Sequence, residues 1–567
     1  MTYIKKVFPY VLVILLSLLT ILPLLHAGFF AMHDDTQVSR IYLMAKALAD
    51  GQFPVRWVED LGYGYGYPIF NFYAPFPYYV GGILTLLVKD SLLATKLVFA
   101  LAMIGSGITM YFFTKKFFGF FGALCSSVLY MYFPYHAVNM YVRGNLSELY
   151  AYIFLPLFFA SIYSLYYSKA KKISENLRII LLLTISLGLI VISHNLSAYM
   201  TLFLTGILVV SSLCFKKNKK VYVLSLGIGI LAGFVLSAFY WIPALFEMRF
   251  TDVQSQIGGG SDFHDHFVCL SQLWNSAWGY TGSVPGCVDG MSFRIGKTNI
   301  LLMLPIFIAL VLHRFLKKSP SFLVYSSAVL LAFSVFLTTE YSQVLWNTVP
   351  GMEYLQFPWR FLNYTGLFFS ILVGFLIWQI QQRFSKIVTL VVTVLIIGGT
   401  ISIYSRVFIP EHIYERSDIF YTSRDYIAYT VTKRSDEYLP PNFSVLISED
   451  EIPDKKIYTD GDVQIKELKN KTGYYEAEVI AGNSARLNFA IAYFPAWHVL
   501  LDDVPQQITP TQRGFYIDIP QGTYIVKAEF KQTQIQMIAN ILSFIGFVFF
   551  IIGIIKTKSY GTQRKTS

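Results

Sequence analysis

The chain has 567 residues, of which 55% are hydrophobic, 17% aromatic and only 14% charged. Soluble domains carry roughly 25% charged residues, so this composition excludes a soluble fold and predicts a polytopic membrane protein. The formal net charge of +11 calls for no nucleic-acid partner, because the basic residues sort to one side of the predicted spans and act there as topogenic signals.

Apolar runs of about 17–25 residues, the length that crosses a bilayer as helix, predict twelve spans. They lie near 7–27, 92–113, 118–134, 149–167, 179–194, 196–213, 221–239, 299–316, 321–338, 361–380, 387–405 and 535–555. The loops and tails on one side hold 21 basic residues and one acid, Glu175. Lys5, Lys6, the run Lys216–Lys220, Arg314, Lys317 and Lys318 are among them. The positive-inside rule puts that side, and both termini, in the cytoplasm of a multi-pass cell-membrane protein. Phe76–Val88 is apolar but too short to span. Counting it as a span would reverse every later loop, so it reads as re-entrant or interfacial on the outer side. Met1–Ala27 has a long apolar run and no small-x-small cleavage site, and reads as a retained signal-anchor.

Two outer loops of about sixty residues, 28–91 and 240–299, are long enough for a built structure above the membrane. The first carries His33-Asp34-Asp35-Thr36-Gln37 directly after the first span. One Asp before a helical run can be an N-cap; two adjacent ones cannot both take that position. The functional reading is a general base or metal ligand facing a membrane-level cleft. The second loop holds Cys269 and Cys287, which would close a 19-residue disulfide loop in an oxidising compartment. Cys125 and Cys214 fall in predicted spans and read as inert core residues. His264 and His266 flank Asp265 and, with Asp34, are weak candidates for a divalent cation, because no third ligand is fixed.

Further candidates share the outer side. Tyr141-Val142-Arg143-Gly144-Asn145-Leu146-Ser147-Glu148 offers an Arg to fork onto phosphate and a Glu to steer an acceptor, or else an ion pair fixing a turn. His194 and Asn195 close the fifth span, where a His serves either a pocket or a buried polar contact. Trp359 and Arg360 in Phe357-Pro358-Trp359-Arg360 suit a lipid phosphate, or an interfacial anchor. From 406 to 533 the hydrophobic runs shorten and alternating patterns predict strands at 463–467, 474–480, 486–492, 498–501, 514–519 and 522–530. Such short strands suggest a small extracytoplasmic β-sandwich, with Tyr493–His498 packing it on the membrane unit. The expected organisation is a membrane module at 1–405, a β-rich domain at 406–533, and a last span with a basic tail at 534–567.

The order of signal-anchor, acidic pair, short helix, Gly51-x-x-Pro54, then Gly62-Tyr63-Gly64-Tyr65-Gly66-Tyr67-Pro68 and Asn71-Phe72-Tyr73-Ala74-Pro75 resembles the first outer loop of GT-C glycosyltransferases. The resemblance extends to the large outer loop and to Gln356–Arg360. It is closest to bacterial members of unassigned acceptor, some labelled as related to pyruvoyl-tetrahydropterin synthase. No His-rich zinc constellation accompanies that label here. The resemblance implies transfer of a sugar from a polyprenyl-phosphate donor to a glycan, lipid or protein acceptor, with inversion. It implies that Asp34 is base or positioning carboxylate, with Asp35 able to substitute. It also implies that Arg360 neutralises the leaving polyprenyl phosphate and favours a functional Arg143 and Glu148; with His194, Asn195, Trp359 and Tyr73 these are the candidate substrate-binding residues. Lipid-A aminosugar transferases carry a Glu before the Pro-rich stretch where this chain has Asn71-Phe72-Tyr73-Ala74, which puts a metal site built on that Glu in doubt. Two other classes compete. A transporter or flippase of lipid-linked glycans usually places polar residues mid-membrane with repeat symmetry. A scaffold displaying the β domain would not need these charges on one side.

Overall fold

The computed structural model describes residues 2–256, 258–313 and 321–566, with side chains at 2–5, 259 and 558–566 outside the description. Arg314, Lys317, Lys318 and the side chains of Lys5, Lys558, Arg564 and Lys565, all used in the orientation count, thus lie outside the described residues. Among the described residues, ten helices are long and apolar enough to cross a membrane. One of them, Ser91–Met131, runs 41 residues and holds two of the expected spans, separated at Gly119. There φ is 70° and ψ −163°, a conformation essentially restricted to glycine. Another expected span coincides with Lys297–His313, a shorter apolar helix of 17 residues.

Burial grades the helices. The most apolar window of Pro358–Arg383 is 94% buried, whereas that of Gln534–Thr557 is 17% buried. The first is hydrophobic all round and sits at the centre; the second turns most of its apolar surface outward, as a lipid-facing helix does. Cys214 is exposed on the helix Asn195–Phe215 and is not the core residue expected; Cys125 is buried. Phe76–Val88 forms a 13-residue helix. At 1.5 Å per residue it reaches about 20 Å, short of the roughly 30 Å hydrocarbon core. Its Gly81 and Gly82 lie against Ile41 and Met44 of the helix Gln37–Ala49, so the two helices of the first loop pack closely.

The strands follow a simple scheme. A two-stranded pair joins β1 (Phe29–Phe30) to β2 (Ile413–Tyr414) across most of the chain. Strands β3 (Ile457–Thr459), β4 (Val463–Lys471), β5 (Tyr474–Ala481), β6 (Ala485–Phe489), β7 (Trp497–Leu501), β8 (Val504–Gln506), β9 (Thr509–Thr511), β10 (Gly514–Ile519) and β11 (Gly522–Phe530) form two sheets. Their orders are β3-β6-β10-β9 and β4-β5-β11-β7-β8, with antiparallel neighbours throughout. Alternation buries Tyr475, Ala477, Val479 and Ala481 on one face of β5, the pattern of a sandwich strand. The six expected strands are all present; β3, β8 and β9 are added, each three residues long.

The first loop is the platform on which this β region stands. The Trp57 ring lies 5.2 Å from that of Trp497 and 5.2 Å from that of Phe530. The Ala492 N–H donates to the Tyr65 carbonyl at 2.9 Å, and the Thr472 N–H and hydroxyl both donate to Asp50. In the Gly-Tyr ribbon Gly62, Gly64 and Gly66 have φ of 65°, 81° and 76°. These turns let the tyrosines between them reach the segment that follows β2. Tyr63 donates to Asp436 at 3.4 Å, Tyr67 donates to the Ser435 carbonyl at 2.8 Å, and the Tyr67 ring lies 5.7 Å from that of Tyr438. Below, the buried Glu247 accepts from Asn71 at 2.8 Å, from Gln536 at 2.9 Å and from Thr533, tying the loop to the last helix. Asn71, which also accepts from Arg56, is thus a structural bridge.

Candidate active site

Two backbone hydrogen bonds clamp the acidic loop onto the Arg143 segment. The His33 N–H donates to the Val142 carbonyl at 3.0 Å and the Asp34 N–H to the Arg143 carbonyl at 2.9 Å. Gln37 Nε2 adds a third bond, to the Gly144 carbonyl at 2.9 Å. Gly144 has φ of 65°, and a Cβ there would come within 2.1 Å of Met32 Sδ, so glycine is required both by conformation and by space. Neither aspartate caps the helix Gln37–Ala49; its N-cap is Thr36, with no side-chain bond. Capping therefore does not account for the acidic pair.

Arg143 is buried and held from behind. Its Nη1 donates to Glu148 Oε2 at 2.6 Å, to the Tyr135 hydroxyl at 3.2 Å and to Asn139, and its Cζ sits 4.6 Å over the Trp359 ring. Glu148 is fully buried and also accepts from Asn363 and from the Tyr135 hydroxyl. The Asn145 side chain accepts from the Glu148 N–H and caps the helix Leu146–Tyr167, which fixes where that carboxylate points.

Arg360 faces the same space without such support. It is 6% exposed, and its Nε and Nη1 have no hydrogen-bond partner. Its charged neighbours are Arg143, Glu148 and Asp34. Two guanidinium groups therefore share one buried carboxylate, with Asp34 beside them. An unpaired buried cation is costly unless an anion completes it.

These groups line a cavity of about 620 Å³. Of the residues expected from sequence, Asp34, Tyr73, Arg143, His194, Asn195, Trp359 and Arg360 all line it. Glu148 stands behind Arg143 and does not reach it. Asp35 is turned away. It lines a second cavity of about 470 Å³, accepts from the Tyr426 hydroxyl at 3.2 Å and lies 3.7 Å from Arg434. Burial raises its carboxyl above the ordinary aspartate range, against the opposing pull of Arg434. His194 Nδ1 accepts from the Ser197 N–H at 3.2 Å and contacts its hydroxyl at 2.8 Å, while Asn195 accepts from the Leu196 N–H.

The two other histidines diverge. His266 lines the cavity but its ring nitrogens contact Ser283 and the Gly260 carbonyl, whereas His264 contacts Asp262 and Asn347. Among the described residues no three His, Cys, Asp or Glu side chains are grouped to hold a metal ion. Cys269 and Cys287 are joined as a disulfide, with Cα atoms 5.6 Å apart.

Four further lining residues, Arg40, Arg434, Glu437 and Tyr438, carry polar chemistry and were given no role from the sequence. Arg40, 4% exposed, stacks 4.6 Å over Tyr73 and leaves its Nε unpartnered. Its position two turns beyond Asp34 was the available signal. Arg434, Glu437 and Tyr438 come from the segment after β2 and roof the cavity. That segment has irregular turns and no periodicity, so nothing local marks it. Glu437 is half-buried, and Asp34 and Glu437 are the only carboxylates among the described lining residues. Burial pushes the Glu437 carboxyl up to about 7, against the opposing pull of Arg40.

Comparison with known proteins gives one family and several distant likenesses. Residues 70–407 match a family described as "6-pyruvoyl-tetrahydropterin synthase related domain; membrane protein". An uncharacterized protein of Lactococcus lactis subsp. cremoris is 23% identical over 253 residues, 42% of this chain. The chain spans 40% of that relative's length. Among solved structures, the arabinofuranosyltransferase AftD from Mycobacteria is 13% identical with a TM-score of 0.47, over 72% of this chain and 27% of AftD. ArnT from Cupriavidus metallidurans, bound to undecaprenyl phosphate, is 12% identical with a TM-score of 0.38, over 75% of this chain and 69% of ArnT. The oligosaccharyltransferase AglB from Archaeoglobus fulgidus, with an inhibitory peptide and a dolichol-phosphate, is 12% identical with a TM-score of 0.44, over 74% and 56%.

Proposed function

The chain belongs to the 6-pyruvoyl-tetrahydropterin synthase related membrane protein family, and from that premise we propose that it is a GT-C-type membrane glycosyltransferase. The donor is a polyprenyl-phosphate-linked sugar, and the acceptor is a hydroxyl group on the extracytoplasmic side. Both termini are cytoplasmic in this reading. The observation that carries it is Arg360, a buried guanidinium with two unpartnered nitrogens, facing the same cavity as Arg143 and Asp34.

The chemistry follows from that charge arrangement. As the acceptor oxygen bonds to the anomeric carbon, the bond from that carbon to the phosphate oxygen breaks. The electron pair leaves with the phosphate, so negative charge grows on it in the transition state. Arg143 and Arg360 stabilise that charge, in a buried site where each contact counts for more than in water. Arg143 is held in place by Glu148, so Glu148 acts through Arg143 as a positioning residue. Asp34 serves as base or positioning carboxylate on the acceptor. Direct displacement inverts the anomeric carbon. Tyr73 and Trp359 line the cavity with Arg40 and Arg143 stacked on their rings, and His194 and Asn195 offer polar contacts to hydroxyl groups.

The test uses membranes containing a radiolabelled polyprenyl-phosphate-sugar pool, and purified full-length protein. Labelled product from wild type and none from Asp34→Asn at equal protein level is expected. Undecaprenyl phosphate should raise the melting temperature of wild type but not of Arg360→Ala. Equal product from Asp34→Asn would remove that residue from the chemistry. Absence of both product and stabilisation would sink the reading, and movement of labelled lipid across the bilayer without transfer would favour a flippase.

A further inference from the structure

Resting on the glycosyltransferase reading, we propose that Glu437 is the catalytic base that takes the acceptor's proton, while Asp34 acts as a positioning carboxylate beside the two arginines. The two carboxylates of the cavity have different surroundings. Asp34 is anchored through its backbone to Arg143 and is a charged neighbour of both Arg143 and Arg360. That placement fixes the Asp34 carboxylate beside the two guanidinium groups.

Glu437 lines the same cavity from the segment that follows β2. The groups that face it are Arg40 on the helix Gln37–Ala49, Tyr67 on the Gly-Tyr ribbon, and Asp436 and Tyr438 on its own segment. Arg40 and a hydrogen bond with Tyr438 favour its charged form, and Arg40 is itself stacked on Tyr73. Burial therefore dominates, and the Glu437 carboxyl sits near neutrality, the range in which a general base works best.

The step balances. The acceptor O–H proton passes to the Glu437 carboxylate as the new bond from oxygen to the anomeric carbon forms. The phosphate leaves with the bonding pair, and the Glu437 proton is then lost to water. No co-reactant is needed.

Transfer of label in native membranes, followed against pH, tests this together with infrared titration of the purified full-length protein. Wild type should show transfer that rises through about pH 7 to a plateau, and a protonated-carboxyl band that disappears over the same range. Glu437→Gln should lose the band and the rise, and its transfer should fall to background, with stabilisation by undecaprenyl phosphate retained. Glu437→Asp should restore part of the transfer. Asp34→Asn should keep the band.

Wild-type transfer and profile in Glu437→Gln would overturn the proposal while leaving the transferase reading standing. So would a band that titrates in the ordinary glutamate range. Loss of undecaprenyl phosphate stabilisation in Glu437→Gln would make the residue a part of the donor pocket and overturn its role as base. If wild type neither transfers label nor is stabilised by the lipid phosphate, the transferase reading falls and this proposal falls with it.

Discussion

Arg143 and Arg360 reach the same cavity with unequal support, and the difference predicts unequal consequences. Glu148→Ala leaves Arg143 buried beside Arg360 with no carboxylate behind it. Breaking a buried pair in this way costs about 3–5 kcal/mol. The variant should melt well below wild type in detergent, whereas Arg360→Ala, which removes an unpaired cation, should melt at or above wild type while losing lipid-phosphate binding. Glu437 makes a second prediction at this scale. Its folded carboxyl titrates near 7, above the usual 4.5, so the folded state holds the proton more tightly than the unfolded chain. That contribution to stability is fully present below about pH 4.5 and is lost as pH rises through about 7. The melting temperature of wild type should therefore fall across this window more steeply than that of Glu437→Gln, and identical slopes would contradict the burial assigned to it.

What the residues disclosed in advance divides along the same line. Asp34, Arg143 and Arg360 could be found because charge beside an apolar span is rare and each stands at the edge of one. Glu437 could not, since it lies in a stretch rich in other acids, Asp425 and Asp436 among them. Only the fold distinguishes the one carboxylate that is turned into the cavity. The Asp34-Asp35 pair shows the reverse limit. Adjacent residues on an irregular loop point to different sides, and no periodicity tells which side is which.

Elements were legible where a single physical quantity defines them. Hydropathy over a membrane thickness marked the helices, and period-two alternation marked the longer strands. The three added strands are three residues long, too short for alternation to register. The join between the acidic loop and the Arg143 segment was illegible for another reason: it is made by backbone N–H and carbonyl groups, which every residue carries. Its one sequence trace is Gly144. Gly144→Ala forces a side chain into φ of 65° and into Met32, with a backbone cost of about 1–2 kcal/mol before the clash is counted. The expected result is a lower melting temperature together with weaker undecaprenyl phosphate binding, because Asp34 and Arg143 lose their common register. A variant that melts lower but binds normally would show that the clamp serves stability alone.

Across the whole molecule, the cavity draws on the first loop, the Arg143 segment, the turn at His194–Leu196, the loop 240–299, the stretch from Tyr354 to Arg360 and the stretch that follows β2. The β region reaches that roof through the Gly-Tyr ribbon and through Trp497 against Trp57. Truncating a large buried aromatic costs about 3–5 kcal/mol. Trp497→Ala should loosen the β region from the first loop, seen as faster hydrogen exchange in β7 and β11, and should weaken transfer although it is remote from the reacting atoms. Unchanged exchange would mean that the two parts are held by other contacts.

The roofing of the cavity by residues 434–438 also sets a schedule for the newborn chain. Ribosomal synthesis delivers Asp34 first, Arg143 next, Arg360 later and Glu437 last. Until that last segment has emerged and folded back on the Gly-Tyr ribbon, the cavity has no lid and lacks one of its two acids. A half-made molecule in the membrane therefore presents its arginines before Glu437, and competence comes only after residues 434–438 have been made.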